Sequence, residues 1–282
     1  MTEKTTLVIG GTGMTGRRVT AGLREKGVRA CVASRSGETR FDWTDPGTWP
    51  AALEGVDAAY IVPLDAEPSA TPALVETAVQ RGVTRLVLLS ARGADVPGHF
   101  PDDFAAARTH LEGEEAVRAS GAEWTILRPS WFAQNFSEGF FRDGVLAGEL
   151  ALPAGDGASA FIDADDIAAV GVAALTAPGH DGEVYELSGP RALTIAEALA
   201  EIAEAGGPRA RYTPIDEAAF RAGLAAQGAS EDEVDLWSGG LRPIRTGADA
   251  PIADGVERAL GRPPRDFTEF ARAAVQAGAW RP

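Results

Sequence analysis

A doubly wound, mostly parallel α/β sheet with a smaller, mainly helical C-terminal subdomain is what this sequence predicts, on three observations. Strand-like apolar runs alternate with amphipathic stretches through the first half of the chain. The first of these runs ends in three glycines spaced three apart, Gly10, Gly13 and Gly16. Helix start signals recur in the last third, at Thr194 to Glu197, Ser230 to Glu233 and Asp266 to Glu269. With 282 residues, 45% of them hydrophobic, the chain can bury one large core or a nucleotide domain with a companion.

The elements follow in order. Leu7-Val8-Ile9 is the first strand, and a helix through Val19, Leu23 and Lys26 runs to Gly27. Arg29 to Ser34 reads as the second strand and Phe41-Asp42-Trp43 as a short third, before a helical turn from Trp49 to Leu53. Ala58 to Val62 is a strand ending at Pro63. Thr71-Pro72 then starts a helix to Gly82, with proline at the first helical position. The continuous apolar run Leu86 to Ser90 has the character of a strand buried on both faces. A loop rich in Gly, Pro and Asp (Arg92 to Asp103) precedes a helix from Phe104 to Ala119, and Trp124 to Leu127 is the next strand. Beyond Pro129 the pattern loosens into a crowd of aromatics, Trp131, Phe132, Phe136, Phe140 and Phe141. Asp163 caps a helix to Leu175, Val184 to Leu187 is a further strand, and the rest reads as helical.

Three glycines between a strand and a helix are a dinucleotide signal. One makes the turn, one lets the backbone approach a pyrophosphate, and one lets the helix pack on its strand. The phosphates then meet the free N–H groups at the helix N-terminus. The expected contacts are Gly10, Thr12, Gly13, Met14, Thr15 and Gly16, which makes the first half a Rossmann domain. Where NAD enzymes place an acidic residue, roughly 20 residues past the glycines, this chain has Ser34-Arg35-Ser36. An arginine between two hydroxyls suits a 2′-phosphate and predicts NADP(H), unless Arg35 is an ordinary solvated loop residue. Arg17 is a second phosphate candidate. Asp42 either reaches the adenine amino group or serves as a turn residue.

Bulk composition excludes several partners. A net charge of -15 argues against nucleic acid and anionic membranes, both of which need a basic patch. No apolar segment approaches the roughly 20 residues of a membrane span, and no signal peptide precedes Leu7, so a cytoplasmic protein is expected, with an oligomer possible. Cys31, the single cysteine, sits in an apolar run and reads as a buried, reduced thiol.

Several stretches together resemble the NmrA-like branch of the atypical short-chain dehydrogenases. They are the turn from Gly10 to Gly16, Ser34-Arg35-Ser36, Ser120-Gly121 ahead of Trp124 to Pro129, and Phe161-Ile162-Asp163. Leu127-Arg128-Pro129-Ser130-Trp131-Phe132-Ala133-Gln134-Asn135-Phe136 is the most specific of them. Tyr185 to Pro190 and Gly261 to Pro264 carry the likeness to nearly the whole chain. Within the branch the chain is similar to quinone oxidoreductases of the NmrA type and to reductases of ergot-alkaloid iminium intermediates. The resemblance implies NADP(H) binding and a cleft between two parts: residues 1–128 with 161–187 as the nucleotide domain, and 129–160 with 188–282 as the substrate side. The branch also contains regulators that bind cofactor without turning it over.

One departure bears on mechanism. Ordinary short-chain dehydrogenases protonate a carbonyl with a tyrosine activated by a lysine one helical turn on. Here the matching positions are Ala106 and His110, and neither Lys4 nor Lys26 follows a tyrosine at that spacing. His110 is therefore the candidate catalytic residue; the related quinone reductases, as the resemblance implies, carry a histidine there. Its imidazole can bond the nicotinamide ribose or supply a proton, or simply pack against the sheet. His99 reads as a surface residue and His180 as a turn residue, and no spacing suggests a metal. Pro63 and Ser90 should border the nicotinamide. Trp131, Phe132, Asn135 and Phe136 are the substrate candidates, the rings as flat walls or as hinge core, Asn135 as an orienting group or a helix cap. Without a positioned tyrosine, hydride transfer favours a flat electrophile such as a quinone or iminium ion. The alternative is a non-catalytic NADP(H)-binding redox sensor acting through a protein partner.

Overall fold

The computed structural model describes residues 4–35, 37, 39–64 and 70–281. Its first half alternates β1 (Thr5–Ile9), α1 (Met14–Glu25), β2 (Arg29–Ser34), β3 (Thr39–Arg40), α2 (Trp49–Ala52), β4 (Ala58–Ile61), α3 (Ala70–Gln80), β5 (Arg85–Leu89), α4 (Ala105–Ala119) and β6 (Glu123–Pro129). There follow α5 (Arg142–Ala147), β7 (Glu149–Leu152), β8 (Ala158–Ser159), α6 (Ala164–Thr176), β9 (Glu183–Leu187) and β10 (Leu193–Thr194). The chain closes with α7 (Ile195–Glu204), β11 (Arg211–Pro214), α8 (Glu217–Ala226), α9 (Glu231–Gly240), α10 (Arg242–Thr246), α11 (Gly255–Leu260) and α12 (Phe267–Gln276).

Seven strands form one parallel sheet in the order β3-β2-β1-β4-β5-β6-β9. Strand residues alternate between two cores. Leu7, Ile9, Ile61, Leu86, Leu88 and Ile126 pack under α2, α3 and α4, with Leu74, Val75 and Val117. Val8, Tyr60, Val87, Leu89 and Leu127 pack under α1 and α6, with Val19, Leu23, Ile167 and Val170. Burial on both faces is why these strands read as continuous apolar runs. A third cluster, centred on Phe136, Phe141, Phe161, Phe267 and Phe270, draws on residues 133–161 and 193–280. Val256 of α11 joins the sheet cluster instead.

Helix signals are realised as capping geometry. Thr194 and Ser230 each make a capping box, with Glu197 and Glu233 reaching back to the cap amide. Asp163 accepts from the Asp165 amide at the start of α6, and Asp266 from the Thr268 amide at the start of α12.

Four readings need correction. Phe41-Asp42-Trp43 is not a strand: the ladder is β3, and the buried Phe41 ring lies 5.2 Å from Trp43 and 6.1 Å from Trp49. Stacking of these rings, rather than strand pairing, decides this segment. Pro72 is the third residue of α3, still in the first turn where an amide needs no intrahelical partner. Cys31 is only half-buried. The segments β7 and β11, paired in parallel, and β8 and β10, antiparallel, are strands where the sequence showed loop or helix. No helix among the described residues is long and apolar enough to cross a membrane.

Candidate nucleotide and substrate site

The sheet order reverses between β1 and β4, and a crevice opens outside the carboxyl ends of strands at such a point. The glycine turn lies there. Gly10 has φ of 72° and its carbonyl accepts from the Gly13 amide at 2.9 Å, closing the turn; a side chain at Gly10 would also crowd Val62 after β4. A Cβ on Gly16 would stand 2.2 Å from the Gly10 carbonyl oxygen, so only glycine lets α1 start this close to the turn. Gly13 is the N-cap of α1 and supplies no side-chain cap, which leaves the first amides of the helix to an outside acceptor. Thr12 and Gly13 are exposed, Met14 is half-buried, and Thr15 and Gly16 are buried in the turn. This cradle fits a pyrophosphate.

At the end of β2, Ser34 is half-buried and Arg35 exposed; Ser36 lies outside the described residues. Arg17, the second phosphate candidate, instead pairs with Glu138, which also takes Arg18 at 2.8 Å. Arg18 bonds Asp165 at 2.7 Å as well, so this cluster ties α1 to the segment after β6 and to α6. Asp42 accepts from the Thr44 amide at 3.0 Å and from its hydroxyl at 2.9 Å. These bonds hold its carboxyl below the ordinary range and make it a turn aspartate.

Beside the turn is a cavity of about 370 Å³. Met14, Pro63, Ser90, His110, Trp131, Phe132 and Asn135 all line it, so seven of the residues singled out in sequence converge on one space. Phe136 does not: it is fully buried in the third core, within 5.6 Å of the rings of Phe141, Phe161 and Phe267. Further aromatic wall comes from Phe100, Phe104 and Trp237. Trp131 is fixed by its indole N–H on the Gly240 carbonyl at 3.1 Å and by stacking on Phe141. Trp237 stacks on Phe140 at 3.9 Å. His110 is half-buried on α4 next to Ala106 and Ala107, whose small side chains also border the space. None of the three tyrosines lines it: Tyr60 is fully buried in the sheet, Tyr185 meets His180, and Tyr212 bonds the Leu152 carbonyl.

One histidine departs from expectation. His99 is buried on the cavity wall, its ring packed over Gly93 and against Phe100. Burial, with the Arg92 charge, lowers it to about 4. His180 is buried too, its Nδ1 2.8 Å from the Tyr185 hydroxyl.

Sequence reasoning missed two groups. Ser90 donates at 2.6 Å to Glu114, a fully buried carboxylate of α4. Arg128 clamps Glu114 through Nε at 2.8 Å and Nη2 at 2.7 Å, and Arg118 adds a bond at 2.8 Å. Burial alone would raise Glu114; the Arg128 and Ser90 hydrogen bonds and the Arg128 charge outweigh it and hold the carboxyl below its ordinary range. The second is Asp249, 2% exposed on the cavity wall, whose Oδ2 accepts from Ser159 Oγ and from the Trp131 amide at 3.3 Å. Burial raises it to about 6.

A capless helix N-terminus behind a tight glycine turn, at a sheet switch point and beside an aromatic cavity, defines a Rossmann-type dinucleotide-binding protein. A family model for NAD(P)H binding matches residues 10–178. The chain is 34% identical to an NAD(P)H azoreductase of Xenophilus azovorans, over 96% of this chain and 98% of that one. It is 31% identical to an agroclavine dehydrogenase of Claviceps fusiformis, over 94% and 96%. An NADPH-dependent quinone oxidoreductase from Escherichia coli, complexed with NADPH, shares the fold with a TM-score of 0.80 at 23% identity, over 96% of this chain and 99% of that one. The chain belongs to the NAD(P)H-binding family.

Proposed function

We propose that this NAD(P)H-dependent oxidoreductase takes NADPH and reduces a quinone or a similarly flat, apolar electrophile, an iminium ion being the other acceptor of that shape. The observation that carries the reading is the aromatic cavity running from Met14 and Pro63, at the glycine turn, to Trp131, Phe132 and Trp237. Gly10, Thr12, Gly13, Met14, Thr15 and Gly16 hold the pyrophosphate, and Ser34, Arg35 and Ser36 hold the 2′-phosphate. Pro63 and Ser90 border the nicotinamide. Bound there, the cofactor supplies a hydride. Trp131 and Phe132 present apolar faces to a planar ring and keep water from it, Asn135 orients it, and Phe136 supports that wall from behind. His110 bonds the nicotinamide ribose or exchanges a proton beside it. The chain's parts divide accordingly, residues 1–128 and 161–187 serving the nucleotide and 129–160 with 188–282 the acceptor. The relatives' names speak for the same chemistry, since azo compounds and quinones are both flat and conjugated.

A second reading is an NADP(H)-binding regulator that acts through a protein partner. It draws on Ala106 and His110, which stand where the short-chain dehydrogenases carry their tyrosine and lysine. NADPH consumption with a panel of quinones, azo dyes and cyclic iminium compounds decides between them. Turnover supports the reductase; NADPH binding at micromolar concentration with no acceptor reduced supports the regulator.

A further inference from the structure

We propose that Asp249 is the acid of this site: its carboxyl hydrogen-bonds the carbonyl oxygen of the bound acceptor and delivers the proton that completes its reduction. The inference rests on the acceptor reading above. Asp249 follows α10 in a segment remote in sequence from the nucleotide turn, yet it lines the same cavity as Met14, Pro63 and His110. Its two side-chain hydrogen bonds, from Ser159 and the Trp131 amide, both go to Oδ2. They fix the plane of the carboxyl. Oδ1 takes no hydrogen bond among the described residues and is the oxygen a ligand can meet. In a wall built largely of aromatic and aliphatic side chains, a carboxyl with one uncommitted oxygen is placed for a polar atom on the edge of a flat molecule.

The surroundings suit a proton carrier. The charged groups facing Asp249 are Arg92, after β5, and Glu186, on β9. The Arg92 guanidinium is spent elsewhere, Nη1 on the Pro251 carbonyl at 2.7 Å and Nε 3.4 Å from Glu186. Burial therefore prevails over the Ser159 hydrogen bond, the Arg92 charge and the Trp131 amide, and the carboxyl titrates at about 6. An acid in that range both gives a proton and regains one near neutral pH. Reduction of a quinone to its hydroquinone takes two electrons and two protons. The hydride accounts for the electrons and one hydrogen nucleus. The Asp249 O–H breaks as the product O–H forms, and water returns a proton to the carboxylate.

The first test uses the protein without cofactor, so that no hydride is available, and a flat ketone, 9-fluorenone, read by quenching of tryptophan fluorescence. Wild type is expected to bind about tenfold more weakly at pH 8 than at pH 5 as the donor proton is lost. Asp249→Asn should abolish that pH dependence, and Ser159→Ala, which removes a hydrogen bond to the carboxylate, should move its midpoint upward. A pH-independent wild type, or the same dependence in Asp249→Asn, overturns the proposal; the latter would assign the proton to another group such as His110. The second test uses NADPH and a quinone. Asp249→Asn is expected to lower kcat at pH 6 by at least about tenfold, with KM for NADPH within about twofold of wild type. Unchanged kcat overturns the role. Ketone binding that depends on pH through Asp249, in a protein that reduces no acceptor, would remove the reductase reading and keep the hydrogen-bond donor.

Discussion

Asp249 and His99 share one cavity and titrate in inverted order, the carboxyl at about 6 and the imidazole at about 4. Each shift has its own stability consequence. The Asp249 value is raised from 3.8, so its contribution is fully present below that pH and is lost as pH rises through about 6. The His99 value is lowered from 6.5, so its contribution is present above that pH and is lost as pH falls through about 4. The two oppose each other over the same window, and a substitution separates them. Relative to wild type, Asp249→Asn should gain about 2 kcal/mol of unfolding free energy between pH 4 and pH 8. Urea denaturation at both pH values measures this, and a difference that stays constant with pH would refute the buried-acid assignment. At the other end of the site, Arg35→Ala should weaken NADPH at least about tenfold and NADH less than about twofold in a fluorescence titration; equal losses would remove Arg35 from the 2′-phosphate. Met14, Pro63, Ser90 and His110 were legible in sequence because each follows a strand or sits on a helix row whose place the α/β pattern dictates. Asp249 was not. Nothing in Asp249-Ala250-Pro251 marks the carboxyl as buried, and its partners Ser159 and Trp131 are far away in sequence.

Between elements, the Glu114–Arg128 pair connects α4 to β6 and, through Ser90, to the end of β5. Both carboxyl oxygens of Glu114 are engaged by charged donors, and the residue has no solvent contact. Removing its charge leaves Arg128 with Asp95 and a more distant Glu186. Glu114→Gln is expected to destabilise the fold by about 3 kcal/mol, seen as a lower urea midpoint with an unchanged slope. A loss below about 1 kcal/mol would mean that the pair is balanced by its own desolvation. By tying the carboxyl end of β5 to α4, this network also places Ser90 and His110 on the same wall. Sequence pattern located α4 and β6 within a residue or two at most ends. It gave no sign of the pair, since a helical glutamate and a strand-terminal arginine are each usually solvated. The short strands β7, β8, β10 and β11 escaped for another reason. Two- to four-residue ladders are decided by partners distant in the chain, as Leu193 with Ser159 and Tyr212 with Leu150 are here.

At the scale of the whole molecule, two cores on the faces of one sheet and a third built on phenylalanine meet at the switch point. The glycine turn supplies the polar side of that junction and the aromatic segment after β6 the apolar side. The parallel sheet was readable because its strands are apolar on both faces and its turns are punctuated by glycine. The third core was harder to assign. A run of rings reads equally as pocket wall or as packing, and both occur: Trp131 and Phe132 face the cavity while Phe136 and Phe141 are sealed. The central claim, that this junction carries hydride from NADPH to a flat acceptor, is tested most directly by a single turnover. The protein saturated with NADPH is mixed anaerobically with one equivalent of 1,4-benzoquinone, and NADPH loss and hydroquinone formation are followed together. The account predicts loss of one NADPH for each hydroquinone formed, at a rate well above that of the same mixture without protein. NADPH that stays bound and reduced, with no more hydroquinone than the protein-free control, would contradict it.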